Sequence, residues 1–324
     1  MFGKKKDNGA LPGSNRVPVT SNEVMQQLAI DYMKDRKWRR IFKFAVLGLI
    51  IIYFISVAKM ASKEAGFAGA SAPHTALVEL NGVIGIGGGI AADQANQSIR
   101  KAFEARNSKG VVLRINSPGG SPVQSDEINS EISRLKQLYP SKPVHVVVSD
   151  VCASGGYYIA AAADNIYANP SSIVGSIGVR MDSFGFVDAM QKLGVERRSL
   201  TAGENKSILD PFLPTKPSQE AHAREMLGVV HQEFINVVKD GRGDRLTDNP
   251  DLFSGLFWSG RQAKDLGLID DFGGLNHVAA NVIGEDRIVD YTYRPDFFEQ
   301  FSKDLGVSIA TTLGALFTSS MTLE

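Results

Sequence analysis

Residues 150–158 read Asp-Val-Cys-Ala-Ser-Gly-Gly-Tyr-Tyr, and the reading of the whole chain turns on them. Ahead of them Pro143 to Ser149 is an apolar run rich in β-branched residues, the composition of a strand buried on both faces. Behind, Tyr157 to Ala163 is Tyr-Tyr-Ile-Ala-Ala-Ala-Ala, which suits a tightly packed helix. Ser154 therefore falls at a strand-to-helix turn, beside two glycines that permit a sharp backbone path. The start of a helix offers unpaired N–H groups and the positive end of a dipole, both of which favour a developing negative charge. A hydroxyl placed there is a candidate nucleophile. The plainer alternative is an N-cap serine that only accepts a backbone N–H.

Strands and helices alternate to either side. Ala76 to Leu80 and Val111 to Ile115 read as strands, and between them Asp93 to Asn107 carries Ala95, Ile99 and Phe103 at helical spacing. Val123 to Tyr139 aligns Ile128, Ile132, Leu135 and Leu138 on one helix face. Past the central turn, Ile173 to Val179 is apolar and broken by Gly175 and Gly178, a strand or turn where backbones approach closely. A helix over Asp182 to Leu193, a short strand at Val195 to Ser199, a loop over 201–217 and a long helix from Ser218 to Lys239 complete the pattern. Such repetition predicts an α/β fold with a largely parallel sheet and helical crossovers.

Two glycine-rich stretches compete for attention. Arg114 to Pro122, Arg-Ile-Asn-Ser-Pro-Gly-Gly-Ser-Pro, leaves a strand where ligands bind in open α/β sheets, and Gly119 and Gly120 bring amides free of side chains. In the glycine-rich run from Gly85 to Ile90, Gly87-x-Gly89-x-x-Ala92 matches the looser form of a dinucleotide fingerprint, but the acidic residue expected about 20 positions further on is missing from Val111 to Asn116. A nucleophilic Ser154 needs a base. His145 lies mid-strand, and a lysine serves if desolvation lowers its pKa from ~10.4 toward neutrality. Spacing alone leaves Lys192, Lys206 and Lys216 open.

Bulk properties narrow the class. Thirty-five basic and 35 acidic residues among 324 give no charge argument for nucleic acid. A single cysteine, Cys152, excludes an intrachain disulfide framework and a Cys-rich zinc site, and the five histidines show no ligand spacing. No metal or cofactor is expected. Residues 1–40 are basic and poor in apolar side chains, predicting a disordered cytoplasmic segment. Residues 41–58 are 18 residues long and carry one charge, Lys43, with Trp38 and Tyr53 near the ends. That length just spans a bilayer core of ~30 Å. Lys34, Arg36, Lys37, Arg39 and Arg40 precede it and only Lys59 and Lys63 follow nearby, so the positive-inside rule puts the rest of the chain outside the cytoplasm. Residues 59–73 read as a tether, 74–290 as the main domain, and 291–324 as a tail whose apolar run, Leu305 to Phe317, suits a docking or interfacial helix.

The segments Asn116-Ser-Pro-Gly-Gly-Ser, Asp150 to Tyr158, Gly175-Ser-Ile-Gly-Val, Gly203-Glu-Asn-Lys-Ser and Gly260-Arg-Gln-Ala…Leu266-Gly-Leu-Ile-Asp…Gly273-Gly occur in order. Together they resemble the bacterial signal peptide peptidase A family, serine–lysine proteases of the ClpP/crotonase superfamily, from about residue 74 to 285. The resemblance implies a ClpP/crotonase-like fold, with Ser154 as nucleophile, Lys206 as general base and Ser176 as the residue that orients the lysine. It further implies an oxyanion hole from the amides of Gly119 (or Gly120) and Gly155. Expected substrates are cleaved signal peptides or other exported polypeptides, handled by a single-pass protein of the bacterial inner membrane with its domain on the outer side. A homo-oligomer is implied too, in which a neighbour's lysine could complete the site. Two rivals stand: an inactive peptide-binding scaffold, and a crotonase-type acyl-thioester enzyme.

Overall fold

A computed structural model describes residues 25, 37–38, 41–56, 71–85, 87 and 89–294. The chain divides into two units, 1–65 and 66–324. In the first, residues 41–56 are helical and expose their apolar side chains. The last two residues of the expected span, 57–58, lie outside the described residues, as do most of 1–40, most of the tether and the apolar run of the tail. Among the described residues no helix is long and apolar enough to cross a membrane.

The second unit opens with the alternation read from the sequence: β1 (His74–Asn81), α1 (Ala92–Glu104), β2 (Ser108–Ser117), α2 (Pro122–Leu138), β3 (Val144–Ala153) and α3 (Gly155–Ala160). β1, β2 and β3 are parallel neighbours, with Ala76 opposite Val111 and Val111 opposite Val144. Their runs are apolar because both faces are covered. One face packs on Ile99 and Phe103 of α1 and Ile128 and Ile132 of α2; the other holds Leu77, Val112, Val147 and Tyr167 against Val278. Leu138, expected on the buried face of α2, is exposed at the last turn. The start of α2 is fixed by Ser121, whose hydroxyl accepts the Gln124 N–H, and by Pro122, which needs no N–H partner there.

Past α3 the sheet forks. The first half of β3 pairs with β4 (Asn165–Ala168) and its last three residues with β5 (Ile173–Gly175). β5 pairs antiparallel with β6 (Phe257–Ser259), whereas β7 (Asp271–Phe272) adds to β4 and β8 (Ile288–Asp290) to β1, both parallel. β3 runs through to Ala153, four residues beyond the expected Ser149, because β5 supplies a ladder for its end. Only Ile173 to Gly175 of the apolar stretch 173–179 is strand.

Residues 178–216 leave the sheet and return. The helix expected over 182–193 is reduced to α4 (Val187–Lys192), which buries nothing. The strand expected at Val195 to Ser199 does not form: those residues are exposed and, among the described residues, no strand lies beside them to complete a ladder. Phe186 stacks on Phe212 at 5.4 Å, and Arg197 lies over the same ring and pairs with Asp210. The excursion ends in α5 (Pro217–Arg242), the longest described helix of this unit. Its last turn is locked by Arg242, 1% exposed, which donates to the Gly267 carbonyl and to both carboxylate oxygens of Asp270. Burial raises the pKa of Asp270, but its hydrogen bonds to Arg242 and the Ile166 N–H outweigh that and hold it below the usual range. Asp270 follows α6 (Gly260–Asp265), which opens with a Ser259–Gln262 capping box. Gly267 then ends that helix with a positive φ.

Candidate active site

Ser154 occupies the N-cap position of α3 with φ 51° and ψ −123°, a conformation that costs a non-glycine residue about 1–3 kcal/mol. Its side chain makes no capping hydrogen bond. The N-cap alternative therefore fails. The backbone is engaged at both ends: its N–H donates to Gly175 O at 2.8 Å and its carbonyl accepts the Tyr158 N–H at 2.9 Å. Ser154 lines a cavity of about 1170 Å³ together with Gly119, Gly120, Gly155 and Ser176.

The Gly119–Gly120 loop is pressed onto this turn. A Cβ on Gly119, whose φ is +105°, would lie 2.7 Å from Ser154 Cβ, and one on Gly120 would lie 2.0 Å from Ile84 O. Of the two amides expected in the loop, that of Gly119 is taken, donating to Ser117 Oγ at 3.1 Å. The bridge to Ile84 uses Gly119 O and the Ser121 N–H and passes over Gly120. Among the described residues the Gly120 amide thus has no hydrogen-bond partner, and it lies 3.3 Å from where a Gly155 Cβ would stand. Gly155 opens α3, where N–H groups lack intrahelical acceptors. Gly120 and Gly155, not Gly119, are thus the amides of this loop and turn without a hydrogen-bond partner among the described residues.

Ser176 is the twin of Ser154. The paired strands β3 and β5 end together, Ala153 opposite Gly175, and the next residue on each is a serine at φ 51°. Ser176 N–H donates to Leu256 O at 2.8 Å. Both serines line the same cavity.

Lys206 is elsewhere. It is exposed, sits in a turn closed by its N–H on Gly203 O, and is not among the cavity's lining residues. Its neighbour Asn205 is held by Gln219 near the start of α5, whereas Ile177, next to Ser176, is held by His231 on the same helix. Gln219 and His231 are 12 residues apart, about 18 Å along the axis. Within one chain the structure does not bring Lys206 to Ser154. Lys192, Lys216 and Glu204 are exposed and do not line the cavity either. His145 is buried near the start of β3, does not line the cavity, and burial pushes its pKa down. Cys152 is fully buried and burial holds its thiol protonated, so it competes with no nucleophile.

Sequence reasoning missed the far wall. Tyr158, whose hydroxyl donates to Asp126 at 2.8 Å, packs on Phe234 of α5, and His231 and Glu233 line the same cavity. Asp126 and Tyr158 stand 32 residues apart in sequence and nothing local marks them as partners.

A forked, mostly parallel sheet with a serine in a strained strand-to-helix turn fits the ClpP/crotonase-like class of α/β proteins. Residues 136–286 match the model of peptidase family S49. A Synechocystis protein named as a protease is 32% identical over 200 residues, 61% of this chain and 69% of that one. An Enterococcus faecium protein named as a signal peptide peptidase SppA is 33% identical over 227 residues, 68% of this chain and 65% of that one. A Brucella abortus protein named Na(+)/H(+) antiporter NhaA is 49% identical over 187 residues; the match takes in 58% of this chain but spans only 25% of that protein. The chain belongs to peptidase family S49, the family of the signal peptide peptidase A proteins.

Proposed function

We propose that the chain is a serine endopeptidase in which Ser154 attacks a peptide carbonyl, and that the Gly120 and Gly155 amides hold the oxyanion that forms. The observation that carries this is Ser154 itself, strained, uncapped and set against the Gly119–Gly120 loop in the cavity wall. Lys206 takes the serine's proton and Ser176 aims the amine. The separation along α5 favours a dyad completed between copies, the lysine of one chain serving the serine of the next. The exposed excursion 178–216 then has a role. It carries Lys206 outward together with Phe184, Leu193 and Leu200, apolar side chains that a second copy would cover.

The apolar run 41–58 and the bases before it support a single-pass anchor with the catalytic unit outside the cytoplasm. Substrates in that reading are remnants of signal peptides or other exported polypeptides. The test is labelling of the full chain by a fluorophosphonate probe alongside cleavage of a peptide panel. Wild type should label and cleave, and Ser154→Ala should do neither. Lys206→Arg should be as inactive as Lys206→Ala, because a guanidinium does not give up its proton. A wild-type chain that binds peptides without cleaving or labelling would favour the scaffold reading; hydrolysis of acyl-thioesters surviving Ser154→Ala would favour the crotonase one.

A further inference from the structure

We propose that His231 is a positioning residue that holds the Ser176 turn in its working shape, an inference that rests on the Ser154–Lys206 reading above. From the middle of α5 its Nε2 lies 3.1 Å from the Ile177 carbonyl oxygen. A carbonyl oxygen only accepts, so Nε2 carries the proton and the tautomer is fixed.

The contact falls where the backbone has most need of it. Gly175, Ser176 and Gly178 surround Ile177, and Ser176 is held at φ 51°. A non-glycine residue keeps such a conformation only when its surroundings allow no other. Three bonds supply that restraint from three directions. Gly175 O accepts the Ser154 N–H, Ser176 N–H donates to Leu256 O, and Ile177 O accepts from His231. The first comes from the nucleophile's own turn and the second from the chain entering β6. Only the third comes from α5, and only the third depends on a side chain. On the far side, Gly178 is set against Gly255, where an added Cβ would meet Gly255 Cα at 3.0 Å, so the turn is already close to its neighbour there.

Ser176 is the group assigned to aim the incoming amine. A shift of the turn would move its hydroxyl relative to Ser154 without removing any group that touches the substrate. His231 also lines the cavity, so a purely steric or binding role is the competing account, and the two differ in kinetics. Loss of alignment lowers kcat, since a misplacement of about 1 Å can cost about 100-fold, whereas loss of a binding contact raises KM at unchanged kcat.

The experiment compares wild type, His231→Leu and His231→Gln as full chains, measuring kcat and KM on a cleaved peptide, fluorophosphonate labelling and thermal melting. Leucine removes the donor; glutamine restores an N–H that reaches the same carbonyl. His231→Leu should lose tenfold or more in kcat with KM within about twofold of wild type, and His231→Gln should recover most of the loss. Unchanged kcat in His231→Leu, a change confined to KM, or a His231→Gln variant as impaired as the leucine one overturns the proposal. If leucine lowers the melting temperature, the glutamine variant, compared with wild type at matched melting, decides. Should Ser154→Ala leave wild-type turnover intact, the dyad reading falls and this inference falls with it; a dead Ser154→Ala beside a normal His231→Leu sinks the inference alone.

Discussion

Strain at Ser154 has a measurable sign. At φ 51° and ψ −123° alanine keeps the steric penalty of a Cβ, while glycine does not. Ser154→Gly should therefore melt above Ser154→Ala, although glycine ordinarily weakens a folded chain, and both should be inactive. The reverse order in a thermal melt would mean that the turn stores no strain. Ser154 was legible from sequence because strand, turn and helix signals meet within about 20 residues, and the glycine loop because its side chains are absent. That the Gly119 amide is occupied was not legible, since it depends on the Ser117 hydroxyl folding back onto it. Lys206 came from resemblance alone. His231 could not be read at all: its partner lies 54 residues away and is a main-chain carbonyl, which leaves no trace in residue type.

Among the elements, α1 and α2 are clamped by a carboxylate. Glu131 of α2, 8% exposed, accepts from Arg134 one turn away and from Arg100 of α1. The Arg134 bond outweighs the opposing effect of burial, and with Arg100 it lowers the carboxyl from 4.5 to about 2. A depressed folded-state pKa stabilises the fold above the unfolded value and loses that contribution as pH falls through the folded one. Glu131→Gln should thus be less stable than wild type at neutral pH in denaturant titrations. The gap should shrink from pH 4.5 downward and close near pH 2. A gap that stays constant over that range would show that the ion pairs contribute nothing and that shape alone matters. The same scale explains what the sequence told of the fold. β1, β2, α1, α2 and α5 are long enough to show a period, and each was placed to within a few residues. β4, β6 and β8 have four residues or fewer, too short for alternation to register, and they exist because a neighbouring strand edge was free. Val195 to Ser199 met with no such edge.

For the molecule as a whole, the decisive feature is how far α5 keeps Asn205 from Ile177. If the dyad forms between copies, co-expressing the inactive Ser154→Ala and Lys206→Ala chains in equal amounts should restore about one quarter of wild-type turnover, because intact halves still meet. A dyad closed within each chain would restore none. The consequence reaches into inheritance. A site assembled from two polypeptides is the joint property of two gene copies, so a doubly defective allele is partly dominant. Ser154→Ala and Lys206→Ala on one chain, expressed equally beside wild type, should leave about a quarter of the sites working rather than half. Each faulty chain spoils its own serine and denies a lysine to its neighbour.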